Sequence, residues 1–135
     1  MDRIVVTNSH LISYSGEVIF EGESNEFIGL RPSVKSEVCV FFRKSDIYRI
    51  IYSNGRNDIY NEIQDSQAPE EITDQSILVK LNNGASFRGA REESIIDEWH
   101  REDGFFLYPI KSKNIFFWIP ESEIKKIYRE DKQVV

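Results

Sequence analysis

The chain repeats itself, and the repeat limits its fold more than any other feature. Residues 28–51 lie over residues 105–128 without a gap. Leu30 meets Leu107, Pro32 meets Pro109, Ser45 meets Ser122, Ile47 meets Ile124 and Ile50 meets Ile127, with Asp46 on Glu123 and Arg49 on Lys126. The apolar run Val38-Cys39-Val40-Phe41-Phe42 falls on Ile115-Phe116-Phe117-Trp118-Ile119. A second block aligns upstream at its own constant spacing: Val6 on Val79, Ser13 on Ser86, Tyr14 on Phe87 and Gly16 on Gly89. The change of spacing puts a longer connection, residues 90–104, into the second copy. A duplication decides architecture before any local pattern does.

At 135 residues the chain is one ordinary domain or two very small ones. A copy of about 55 residues is marginal alone, so the copies share a core or assemble with other chains. We place the first copy at 1–55, an acidic polar linker at 56–76 and the second copy at 77–135. A hydrophobic fraction of 40% with 13% aromatics marks a packed chain, not a disordered one. The net charge of −6 weighs against unassisted nucleic-acid binding, which needs clustered Lys and Arg. The single cysteine, Cys39, cannot form an intramolecular disulfide and suits a reducing compartment. The opening MDRIVVTNSH lacks a signal-peptide core, and no run nears the ~20 apolar residues that span a bilayer. The expectation is a cytoplasmic protein with no membrane partner.

Short β-branched and aromatic runs predict strands at 3–7, 10–20, 27–30, 37–43 and 47–52, and again at 77–81, 85–90, 105–108, 114–119 and 123–128. Gly16 marks a bend or bulge in the second of these. Asn82-Asn83-Gly84 sits where a two-residue type I′ hairpin wants Asn-Gly. Residues 58–64 have the spacing of a short linker helix, with Ile59 and Ile63 on one side. Residues 91–103 read as one or two helical turns or the tip of a long hairpin. Five short strands per copy predict a mainly β chain of two tandem small barrels, closed or half-closed. The runs at 38–42 and 115–119 do not alternate, so both of their faces need cover. Phe41, Phe42, Phe116 and Trp118 are therefore candidate interface residues, toward the other copy, another subunit or a partner.

The stretch Val79-Lys80-Leu81-Asn82-Asn83-Gly84-Ala85-Ser86-Phe87-Arg88-Gly89 resembles the first motif of Sm and Sm-like proteins. That motif runs apolar-x-Leu, two polar residues, Gly, then aromatic-x-Gly. The stretch Phe117-Trp118-Ile119-Pro120-Glu121-Ser122-Glu123-Ile124-Lys125-Lys126-Ile127 resembles the second motif, and copy one keeps Tyr14-x-Gly16 and Ser45-Asp46-Ile47-Tyr48-Arg49-Ile50. The resemblance implies strongly bent five-stranded SH3-like barrels. Their strands at 38–42 and 115–119 would pair edge to edge into homo-oligomeric rings. It also implies RNA contacts from a loop after the first motif and a basic turn in the second. Here the insertion replaces that loop, and only Arg43 and Lys44 keep the turn's charge. Arg43, Lys44, Arg88 and Asn82 are the candidate RNA contacts.

The chemistry-bearing residues form no recognisable catalytic set. His10 and His100 lack a Cys or His partner at metal spacing, and Cys39 sits in an apolar strand where a thiol acts as a small hydrophobe. No Ser-His-Asp set, phosphate loop or dinucleotide fingerprint appears, so neither a metal nor a cofactor is expected. Asp97, Glu98, Glu102 and Asp103 near His100 read as a solvated charged loop. Trp99 in that loop either folds back or anchors a contact, and with Arg91, His100 and Arg101 it makes the candidate partner-binding set. The function expected is a non-catalytic binding or adaptor protein, sequestering or inhibitory, acting through protein–protein contacts. The alternatives are an Sm-like RNA binder with rebuilt loops, or a small-ligand binder at a repeat or subunit interface.

Overall fold

A computed structural model describes residues 3–21, 26–61, 76–92, 96, 99, 101–109 and 114–129. The chain divides into two compact units, Met1–Pro69 and Glu70–Val135, termed here module one and module two. Among the described residues there are eleven strands and no α-helix. The mainly β expectation therefore stands.

Module one contains β1 (Arg3–Asn8), β2 (Ser13–Glu21), β3 (Phe27–Arg31), β4 (Cys39–Arg43), β5 (Ile47–Tyr52) and β6 (Asn57–Ile59). Their spatial order is β4-β3-β2-β1-β5-β6, all neighbours antiparallel. Module two contains β7 (Ile77–Leu81), β8 (Ser86–Glu92), β9 (Gly104–Tyr108), β10 (Ile115–Pro120) and β11 (Ile124–Arg129), in the order β11-β7-β8-β9-β10. In each module the strand that ends the repeat returns to lie beside the strand that begins it. The 3-10 turns Lys44–Asp46 and Glu121–Glu123 make that return possible. Among the described residues no ladder joins the two end strands of either module, so a closed barrel is not seen.

The duplicated sequence makes duplicated bonds. Ser9 N–H donates to Asp46 O at 2.8 Å, and its counterpart Asn82 N–H donates to Glu123 O at 2.9 Å. Lys44 N–H donates to Glu26 O at 2.8 Å, and Glu121 N–H to Asp103 O at 2.7 Å. Both pairs fix the 3-10 turns. The β7–β8 turn differs from the type I′ expectation. Leu81 N–H donates to Ala85 O and Gly84 N–H to Leu81 O, closing a three-residue loop in which Gly84 has φ +91° while Asn83 keeps a negative φ. This is a type I turn followed by a left-handed residue. The bond from Asn82 to Glu123 holds the first loop residue, and Asn83 Oδ1 accepts from Ala85 N–H.

Gly16 is not a bulge. The β1–β2 register runs unbroken through Ile4↔Gly16, and the irregularity falls in the β2–β3 pairing between Val18 and Phe20. Gly16 serves close approach instead. A Cβ there would lie 2.7 Å from Arg31 O, and one on the matching Gly89 would lie 2.1 Å from Tyr108 O.

The helix expected at 58–64 is also corrected. Asn57–Ile59 is strand β6, with Ile50↔Asp58 and Arg49↔Ile59. A tight turn at Gly55 (φ +90°) throws the chain back onto the open edge of β5, and ladder bonds there outweigh a weak helical period. Residues 62–64 of that segment lie outside the described residues.

The core follows the strands. On β7, Ile77, Val79 and Leu81 point inward and Lys80 outward. Strand β10 is buried along its whole length and β4 up to Arg43. Burying each such Phe or Trp contributes ~1.5–3 kcal/mol or more relative to exposure. Gly29 makes room for one of them, since a Cβ there would lie 2.6 Å from Phe41 Cε1.

Candidate functional site

Trp99 folds back onto module two. Its ring centroid is 5.6 Å from that of Trp118, edge to face, and 6.5 Å from that of Phe106. Arg101 caps the pair, with Cζ 5.8 Å from both indole centroids, and its guanidinium reaches Asp103 at 3.0 Å. That hydrogen bond holds the Asp103 carboxyl below its ordinary range. Arg91 lies apart, stacked over Phe105 at 4.5 Å. Of the four predicted partner contacts, Trp99 and Arg101 thus come together through Trp118, and Arg91 does not join them. His100 lies outside the described residues.

The predicted RNA contacts are divided between the modules. Arg43 pairs with Glu26 and covers the Phe27 ring, and Lys44 reaches Glu21 at 2.6 Å. Both turn cations are thereby neutralised. Arg88 is exposed on β8 opposite Leu78, and Asn82 is the loop residue tied to Glu123. The predicted interface residues Phe41, Phe42, Phe116 and Trp118 are each no more than 1% exposed within the single chain. Phe41 packs on Phe20, Phe42 on Tyr14, Phe116 on Phe106 and Tyr108, and Trp118 on Phe106.

Three further features emerge only from the fold. A buried polar cluster joins the first turn to the first 3-10 turn. Ser9 Oγ donates to Asp46 Oδ1, and Asn8 Oδ1 accepts from the backbone N–H groups of His10 and Ile12. A shallow hollow of about 230 Å³ on module one is lined by Arg3, Val5, Ser15 and Ile51. The third feature is a basic sheet edge on module two. Lys126 lies opposite Lys80 across the β7–β11 ladder, and both ammonium groups sit near the Tyr128 ring, at 5.0 and 5.5 Å from its centroid. Among the described residues, Lys80, Lys125, Lys126 and Arg129 make no ion pair, whereas Arg31, Arg43, Lys44 and Arg56 of module one each have at least one. The Lys125-Lys126 dipeptide was the visible signal for this edge, but in isolation it reads as an ordinary solvated face.

No family model matches the chain, and no curated protein or solved structure matches it. No helix among the described residues is long and apolar enough to cross a membrane.

Proposed function

We propose that the protein is a non-catalytic binding or adaptor protein of the cytoplasm, working through protein–protein contacts on two tandem Sm/SH3-like small-barrel modules. Support for the small-barrel reading comes from the shared order, in which the fifth strand of each repeat flanks the first, and from the 3-10 turn that leads into it. The observation that carries the binding reading is an asymmetry between the modules. Module one covers the outer edge of β5 with its own β6, while β11 in module two has no strand on its outer edge among the described residues. An open edge is a ready template for another polypeptide.

Native mass spectrometry of the protein gently purified from cells that make it tests this. Added mass from a different polypeptide on the 15.8 kDa chain supports the reading. Multiples of the chain alone would point to a homo-oligomer, and carried nucleotide would support the RNA alternative. One observation favours that alternative, namely the Tyr128 ring flanked by Lys80 and Lys126. It is offset by the internal pairing of Arg43 and Lys44.

A further inference from the structure

We infer that the outer edge of β11 takes an extended segment of a partner protein, with apolar and acidic residues alternating, as an added strand in the place that β6 holds on β5. This rests on the adaptor reading above and names the chemistry of its partner.

Module one shows what a covered edge looks like. One continuous segment bonds along β5: Asn57 opposite Ile51, Asp58 opposite Ile50 and Ile59 opposite Arg49. Beyond them, Tyr60 N–H donates to Tyr48 O at 2.8 Å, and Asn61 Nδ2 donates to Ile47 O at 2.6 Å. Under that cover Ile50 is 2% exposed. Its counterpart in the repeat, Ile127, is 36% exposed. The position that is buried beside β6 in module one lies on a strand edge with no neighbour among the described residues in module two.

The side chains along the edge specify the occupant. Ile127 lies opposite Val79 and Arg129 opposite Ile77, on the face that β7 turns toward the core. Lys126 and Tyr128 lie opposite Lys80 and Leu78, on the other face. Because strand side chains alternate, an added strand sets one set of residues beside Ile127 and the other beside Lys126. Apolar residues suit the first and carboxylates the second. A second copy of the same edge is disfavoured because it sets lysine against lysine. A nucleic acid meets the cations but does not reproduce the alternating N–H and C=O ladder that a strand offers the edge. The edge is cationic in a chain whose net charge is −6, so its charge selects an acidic partner.

The test titrates the full chain with a nine-residue peptide alternating valine and glutamate, and with the same peptide carrying lysine for glutamate. Amide hydrogen exchange over residues 124–129 is the readout. The inference expects the glutamate peptide to slow exchange there and the lysine peptide to have no effect. It also expects Lys80→Glu/Lys126→Glu to weaken binding about tenfold with unchanged thermal unfolding. Equal binding of both peptides, no slowing on β11, self-association that protects β11 without peptide, or protection by a twelve-nucleotide oligouridylate in place of the peptide would each overturn it. A co-purifying protein that remains bound to the double variant would sink this inference and leave the adaptor reading intact. Peptide binding at β11 with no co-purifying protein would do the reverse.

Discussion

Leu11 and Gly84 occupy the same position of the same turn in the two repeats, and only one of them is a glycine. Leu11 has φ 63° and Gly84 φ 91°, and each donates its N–H to the residue three before it, at 3.0 and 3.1 Å. A left-handed conformation costs an L-residue roughly 1–2 kcal/mol, while glycine's extra chain entropy costs about 0.5–1 kcal/mol. Leu11 is 58% exposed, so truncating it forfeits little burial. Leu11→Gly is expected to stabilise the protein by about 0.5–1 kcal/mol. Urea unfolding measures it, with Gly84→Leu expected to shift the midpoint the other way.

The glycines at the β2–β3 and β8–β9 crossings predict a ranked pair. A Cβ on Gly89 meets a backbone carbonyl at 2.1 Å and one on Gly16 meets the equivalent carbonyl at 2.7 Å. Neither obstacle can rotate away, so each alanine forces the strands apart. The expected cost is about 1–3 kcal/mol, with Gly89→Ala the worse of the two. Equal midpoints for both variants and the parent would show that the strands separate freely.

The Ser9–Asp46 bond is buried, and Asp46 Oδ2 has no hydrogen-bond partner of its own in the structure. Ser9→Ala leaves the carboxylate without its side-chain donor, and Asp46→Ala leaves the hydroxyl without its acceptor. Each is expected to destabilise by about 1–3 kcal/mol. The double variant should cost less than the two together, because the second change removes the group the first left unsatisfied. A double-mutant cycle by denaturant unfolding gives the coupling directly, and strict additivity would contradict it.

Tyrosine ionisation should weaken the fold at high pH. Partial burial, with a hydrogen bond to Tyr52, pushes the Tyr60 phenol from 10.0 up to about 12, and burial also raises Tyr14. Both pKa values are higher folded than unfolded, so the folded state holds these protons more tightly. Their contribution is complete below about pH 10 and is lost as pH rises toward 12. Ultraviolet titration of the phenolates, followed alongside unfolding midpoints, checks the sign. Tyr60→Phe should flatten the alkaline decline.

The repeat, the strand positions and the heavy burial of β4 and β10 were legible because they rest on local pattern. Val79-Lys80-Leu81 alternates, and Ile115-Phe116-Phe117-Trp118-Ile119 does not. What escaped depends on contacts between distant residues. Asn83-Gly84 looks like a two-residue turn until Asn82 is seen tied to Glu123. Ile59 has a helical neighbour in sequence, yet its partner is Arg49 on β5. Trp99 had two outcomes of similar weight in sequence. Only the fold sets its ring against that of Trp118. The Ser9–Asp46 pair spans 37 positions and carries no motif. The basic edge of β11 is meaningful only beside the covered edge of β5.

Cys39, the chain's single cysteine, lies on β4 at 2% exposure, its thiol directed at Glu37 O at 3.3 Å. A sulfhydryl reagent reaches it only when that strand is uncovered. The rate of its modification under native conditions is therefore an internal clock for the lifting of β4. With no second thiol in the chain, the clock needs no engineered label to be read.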